Sequence, residues 1–264
     1  MFSLAGVPAV LIGVCFFLLG LVFGSFGNVL IYRLPRGQSI WGRSHCPRCK
    51  KSIGPLCLIP VVSFLCLRGK CRHCKKKISW QYPGVELASG LLAVTAAFIA
   101  PSLLSAVVLA FALWMLLLIA VVDVRIQGIP DAFTILFIIL AFLYTGLSGA
   151  FDILAFVIGV GFFGAQWILS RGKWIGSGDV LLAVGLSALL GQRELVLFML
   201  FSSYILGALV ASVLLLTGRI TRKDYIAFGP FLALGTLTAL LMGERMMSCL
   251  LWSARACVGI PFLS

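Results

Sequence analysis

Ser102-Leu-Leu-Ser-Ala-Val-Val-Leu-Ala-Phe-Ala-Leu-Trp-Met-Leu-Leu-Leu-Ile-Ala-Val-Val122 runs for 21 residues without a charge and then meets Asp123-Val-Arg125. About 20 apolar residues in a helix cross the hydrocarbon core of a bilayer, so this stretch reads as a membrane span with an acid at its end. Seven more runs flank it. They cover about Val7 to Ile31, Val85 to Ala100, Ala132 to Leu147, Ile153 to Leu169, Val180 to Leu190, Leu195 to Leu216 and Phe228 to Met242. The run at Val180 to Leu190 is short and is expected to begin in the loop before it. With 61% hydrophobic residues, 11% charged and a mean hydropathy of +1.13, too little polar surface remains for a water-facing globule. A soluble enzyme, a disordered chain and a secreted disulfide-bonded miniprotein are excluded. The expected fold class is an all-α polytopic membrane protein of about eight transmembrane helices with a small cytoplasmic zinc-binding loop domain. The first span lacks a basic leader and has too long an apolar core for a signal peptide, so Met1 to Tyr32 is expected to stay on the mature protein.

Charge orients the spans. Eighteen of the 21 Lys and Arg residues fall in one set of alternating loops and three in the other. Basic residues accumulate in cytoplasmic loops, which sends both termini outward. Twelve of the eighteen lie between Arg33 and Lys77, a stretch without Asp or Glu. A block like this can bind nucleic acid or lie against a membrane, and in so apolar a chain the membrane is the better reading. Anionic lipid headgroups are its expected partner, and no nucleic acid is expected. Acids do not line up across the spans, as an ion or proton pathway would favour.

Inside the basic block stand Cys46-Pro-Arg-Cys49 and Cys71-Arg-His-Cys74. Two C-x-x-C turns supply the four thiolates of a tetrahedral zinc site, and cytoplasmic thiols stay reduced. Four thiolates leave no position open for water, so the zinc of Cys46, Cys49, Cys71 and Cys74 is expected to be structural. The plainer reading is a loop staple that touches nothing else.

Asp123 closes the third run, and Gly176-Ser-Gly178-Asp179 opens the sixth. Both carboxylates fall at one membrane face, where a charge is costly unless paired, solvated or used. Two carboxyl groups brought close share a proton, the state that activates water and protonates a leaving amine in peptide hydrolysis. Gly176 and Gly178 are expected to adopt positive φ and admit an extended substrate. A plain turn and helix start explains the same four residues. Helix dipoles suggest Asp123, at a C-terminus, as the acid and Asp179, at an N-terminus, as the base. Asp131 is expected to cap its helix after Pro130, and Asp224 to pair with Arg222 and Lys223. Glu86 stays open between capping the second span and facing a site near the cysteine loop.

Taken together these pieces resemble one family, the prepilin leader peptidases among the Gly-x-Gly-Asp membrane aspartyl proteases. The resemblance runs from Gly24-Ser-Phe-Gly-Asn28-Val-Leu-Ile-Tyr-Arg33-Leu-Pro35 through both cysteine turns, Leu67-Arg-Gly-Lys-Cys71 and Ile78-Ser-Trp-Gln-Tyr-Pro-Gly-Val-Glu86. It continues through Asp123 to Asp131, Gly176 to Asp179 and Phe228-Gly-Pro-Phe-Leu-Ala-Leu-Gly235. Gly27 and Leu58 depart from the family pattern, where a bulkier residue and an Asn are common.

The resemblance implies a bacterial inner-membrane enzyme whose active site faces the cytoplasm. It would cut the basic leader from type IV prepilins and type II secretion pseudopilins after Gly, with Asp123 and Asp179 as the catalytic pair and Gly176 and Gly178 in support. It would then methylate the new N-terminal residue with S-adenosylmethionine. Residues 1–100, including the four-Cys loop at 33–82, would serve methylation. Residues 101–243 would form the peptidase, and 244–264 an outward tail with Arg245, Trp252 and Arg255 at the interface. A zinc-stabilised transporter, a membrane-tethered nucleic-acid binder and a peptidase without methylation are the rival readings.

Overall fold

The computed structural model describes residues 8–221 and 224–251, with side chains as far as residue 243. The expected interfacial residues Trp252 and Arg255 lie outside it, as do the side chain of Arg245 and the proposed Asp224 partners Arg222 and Lys223. Every apolar run identified in the sequence is a helix. They are α1 (Ala9–Arg33), α3 (Gln81–Ile99), α4 (Leu103–Ile126), α5 (Asp131–Ser148), α6 (Ile153–Ser170), α7 (Ser177–Leu190), α8 (Arg193–Leu216) and α9 (Gly229–Leu251). A short α2 (Val62–Cys66) lies in the cysteine loop. Among the described residues six helices are long and apolar enough to cross a membrane: α1, α3, α4, α5, α6 and α8. The described apolar parts of α7 and α9 are shorter. No strand forms among the described residues, only two isolated antiparallel bridges.

The chain divides into two compact units, residues 1–121 and 122–264, with the boundary inside α4. In the first unit α1 packs along α3. The approach is close because Gly24 faces the Glu86 backbone; a Cβ there would stand 2.7 Å from Glu86 Cα. Small residues allow such contact between membrane helices. Phe23, Phe111 and Trp114 join α1 to α4 through edge-to-face rings, with centroids 4.9 Å apart for Phe23 and Phe111. Gly27 now has a physical reason. A Cβ there would lie 2.8 Å from Leu118 Cδ2 and 3.1 Å from the Trp114 indole nitrogen, so α4 side chains fill the space that a larger residue would need.

In the second unit α7 is the hub, packing against α5, α6, α8 and α9. Its residues from Leu182 to Leu190 are almost all buried. Gly185 receives the ring of Phe137 from α5, and the Thr145 hydroxyl donates to the Ala188 carbonyl oxygen of α7. A 14-residue helix surrounded by other helices does not have to match the bilayer thickness by itself, which explains why the shortest run persists as a helix. At its far end Gly191 takes positive φ to close the helix, and the Asp152 carboxylate accepts from Leu154 N–H to start α6.

Candidate active site and metal centre

The two cysteine turns are near copies, offset by 25 residues. In the first, Lys50 N–H donates to Cys46 O and Cys46 N–H to Lys51 O; in the second, Lys75 N–H donates to Cys71 O and Cys71 N–H to Lys76 O. Lys50 and Lys75 both take positive φ, at 59° and 58°. Each turn is closed by a bridge, His45 to Ser52 and Lys70 to Lys77. The result brings the sulfurs of Cys46, Cys49, Cys71 and Cys74 within 4.8 Å of one another, with Cys46 Sγ 4.0 Å from Cys74 Sγ. A tetrahedral zinc with Zn–S bonds of about 2.3 Å needs sulfurs roughly 3.8 Å apart, so the donor set fits a metal ion.

Electrostatics point the same way. The Cys74 and His73 N–H groups donate to the Cys71 sulfur and bring its thiol down to about 7. At Cys49 the Lys51 N–H works in the same direction, but burial and the nearby Cys46 and Cys74 sulfurs outweigh it and push that thiol up to about 11. A cation among the sulfurs would offset what raises the Cys49 thiol and would favour both Cys49 and Cys71 as thiolates.

Ahead of the first turn the loop is tied to α1 by an arginine. Arg33, at the end of α1 and only 7% exposed, donates to the carbonyl oxygens of Ser39, Ile40, Trp41 and Arg43. One of the twelve basic residues is therefore spent inside the fold. Leu58, the other departure from the family pattern, ends a 3-10 turn at Pro55–Leu58.

In the second unit the aspartates are set by helix ends. Asp123 lies near the C-terminus of α4 and is 5% exposed. Its Oδ2 accepts the Gly229 N–H at 2.9 Å, and Gly229 is the first residue of α9. Asp179 lies in the first turn of α7, and its Oδ2 accepts the Gly176 N–H at 3.2 Å. The two carboxylates interact electrostatically across the 56 residues that separate them in sequence. Each carboxylate thus receives an N–H at the start of a helix. The dipole argument that made Asp123 the acid saw only α4; the start of α9 opposes it, so the dipoles do not divide the proton between the pair.

The glycines differ from expectation in their backbone. Gly176 has φ −72°, and Gly178 is not among the positive-φ residues. The use of Gly178 is space: a Cβ there would stand 3.2 Å from Ile129 Cβ, which lets α7 begin against the segment before α5. Asp131 is the first residue of α5 and makes no capping hydrogen bond; its charge simply complements the helix start. The Asp224 carboxylate accepts from the Thr221 N–H and hydroxyl, which holds its carboxyl below the usual range.

Two polar residues beside this site carried no signal in the sequence. The Tyr204 hydroxyl of α8 donates to Gln166 Oε1 of α6 at 2.9 Å, and Tyr204 interacts electrostatically with Asp179. Its ring packs against Phe228 with centroids 5.0 Å apart. A lone Tyr and a lone Gln in apolar runs resemble any satisfied buried polar pair, so only the fold reveals them.

A further polar group lies in the first unit. The Asn28 amide donates to the Gly24 and Tyr82 carbonyl oxygens. Glu86 Oε2 accepts the Val61 N–H at 2.7 Å, and its carboxylate also receives the Ser25 hydroxyl. Glu86 does not cap α3, which starts five residues earlier with no side-chain cap. It faces the cysteine loop.

Comparison with known proteins agrees with this layout. Residues 18–100 match the bacterial peptidase A24 N-terminal domain, and residues 109–212 match the type IV leader peptidase family. The chain is 33% identical over 248 residues to a prepilin leader peptidase/N-methyltransferase of Bacillus subtilis (strain 168), covering 88% of this chain and 95% of that one. Proteins of the same name from Stutzerimonas stutzeri and Burkholderia pseudomallei (strain 1026b) are 34% and 36% identical. The former match covers 91% of this chain and 94% of the relative, the latter 85% and 84%. No solved structure matches.

Proposed function

The chain belongs to the type IV leader peptidase family, and from that membership we propose a membrane aspartyl endopeptidase that also methylates its product. It removes the basic leader from type IV prepilins and pseudopilins after Gly at the cytoplasmic membrane face. It then N-methylates the new N-terminal residue with S-adenosylmethionine. The observation that carries the cleavage reading is the pair of interacting carboxylates, Asp123 and Asp179, each held by the N–H at the start of a helix.

The chemistry follows from one proton shared by that pair. The ionised carboxylate takes a proton from water, and the resulting hydroxide attacks the scissile carbonyl carbon. The protonated one polarises the carbonyl oxygen and then protonates the leaving amine. Gly176 supports the site through the N–H it gives to Asp179, and Gly178 by keeping a side chain away from the α7 start. Residues 101–243 carry this step. The region 1–100 serves methylation, with residues 244–264 as an outward tail.

Zinc held by Cys46, Cys49, Cys71 and Cys74 would act as a structural staple for the loop at 33–82. S-adenosylmethionine would supply an electrophilic methyl group on a sulfonium. The charge bias of the loops supports a cytoplasmic loop and active site with outward termini in a multi-pass inner-membrane protein. Exposed Trp41, Leu56, Leu65 and Trp80 interleave with the lysines of that loop, a pattern suited to an anionic lipid surface and not to nucleic acid.

The test uses a synthetic prepilin with a basic leader, a Gly-Phe junction and an apolar helix, in micelles with labelled S-adenosylmethionine. Asp123→Asn and Asp179→Asn each keep an oxygen that can accept the backbone N–H, so the fold should survive. Cleavage after Gly by the wild type is expected to fall at least about 1,000-fold in each variant. Cleavage that persists in both would move the chemistry elsewhere.

A further inference from the structure

Residues 1–121 contain twelve Lys and Arg and a single carboxylate, Glu86. That one anion is 8% exposed at the crossing of α1 and α3. Burying a charge costs far more than burying a neutral amide. A Gln at this position could also accept the Val61 N–H without the cost of burying a charge, so the hydrogen bond alone is a weak reason for a carboxylate.

The partner of that bond is itself unusual. Val61 is β-branched yet has φ 60° and ψ −50°, and the Val62 N–H donates to the Pro60 carbonyl oxygen at 2.5 Å. This is a strained γ-turn, and strain of this kind gathers where a segment is held for use. The Glu86 carboxylate pins it. A carboxylate offers about four acceptor positions; Val61 N–H and the Ser25 hydroxyl use two. Capacity for a further donor remains.

N-methylation requires just such a partner. The N-terminus freed by cleavage is an ammonium at neutral pH, and twelve basic residues in this unit repel it. Arg33, the basic residue of α1, is turned to four loop carbonyls, and residues 52–67, which include the Val61 bound to Glu86, carry no Lys, Arg, Asp, Glu or His.

We propose that Glu86 is the subsite for the ammonium of the newly exposed pilin N-terminus and the acceptor of the proton that this nitrogen sheds. The ammonium N–H proton passes to a Glu86 oxygen and leaves the lone pair on nitrogen. That pair forms the N–CH3 bond as the S–CH3 bond of the sulfonium donor breaks, with the bonding electrons remaining on sulfur. Glu86 then returns its proton to water. The inference rests on the methylation reading above and names where the acceptor amine is held.

Two measurements test it on the full-length protein in micelles. In the first, without methyl donor, a cleaved pilin peptide with a free amine is compared with the same peptide N-acetylated. Wild type should bind the free amine about tenfold more tightly, and Glu86→Gln should erase that preference while keeping the Val61 bond. In the second, methylation of the free-amine peptide should fall at least about 100-fold in Glu86→Gln, with the metal content of the four-cysteine loop showing that the loop is intact. Glu86→Ala, which removes the Val61 partner as well, separates loss of the loop from loss of the charge. An amine preference that survives in Glu86→Gln, or its absence from wild type, overturns the inference. Methylation by Glu86→Gln at the wild-type rate overturns it as well and leaves the methylation reading standing. A wild type that cleaves but never methylates overturns that reading itself.

Discussion

The four-cysteine cluster and the aspartate pair are assembled in opposite ways. Four sulfurs are gathered by two short turns whose hydrogen bonds all lie within residues 44–78. Two carboxylates 56 residues apart are gathered by helix ends, each held through one backbone N–H. The first arrangement depends on local turn geometry and gives a donor set that could hold a cation. The second depends on where α4, α7 and α9 begin and end. Damage should therefore stay local in the loop and travel in the helical unit.

With zinc bound at the four cysteines as proposed, removing it is the largest perturbation this contrast predicts. Structural zinc contributes roughly 10–16 kcal/mol to small zinc-binding folds, so chelation should melt the loop and leave the helices. Limited proteolysis at the loop lysines should speed up at least about 100-fold, with little change in far-ultraviolet helix signal. A loop that stays protected after full metal loss would break the comparison.

Gly229→Ala comes next. The added Cβ would lie 2.8 Å from Asp123 Oδ2 and must move the carboxylate or the start of α9. Displacement of a catalytic group by about 1 Å costs on the order of 100-fold, so cleavage should drop by that factor while metal content is untouched. Loss of metal in this variant would show that the two sites are not independent.

The smallest effect is expected from Gly176→Ala. Its Cβ would meet Asp179 Oδ2 at 3.4 Å, an ordinary contact, and its φ is one that any residue adopts. Cleavage should stay within about threefold of wild type. A loss as large as that of Gly229→Ala would mean that the substrate itself needs the bare Gly176 backbone, which would sharpen the reading of this loop considerably.

Legibility in the sequence follows the same division. The helices were readable because charge-free runs leave no other choice, and the four cysteines because their spacing alone makes two turns. Asp123 and Asp179 were readable as candidates from their position at span ends. Their partners were not: nothing about Gly229 says that its N–H will meet a residue 106 positions earlier. Tyr204 and Gln166 were silent for the same reason. Positive φ at Gly176 was inferred from residue type, whereas the turn there needs only extended backbone. Glu86 left two readings open because it stands both near the start of α3 and close in sequence to the cysteine loop; the bond to Val61 decides for the loop.

The shortness of α7 reaches beyond packing. Fourteen residues rise about 21 Å, against a hydrocarbon layer of roughly 30 Å, so the helix cannot touch both boundaries of the film. If α7 and its flanking loops cross the film, some 9 Å of depth falls to irregular chain, which membranes tolerate only where protein or water surrounds it. Hydrolysis consumes water, and if the end that falls short is the helix start bearing Asp179, water can wait there below the headgroups. A substrate anchored by its own apolar segment then need not be lifted out of the lipid to be cut.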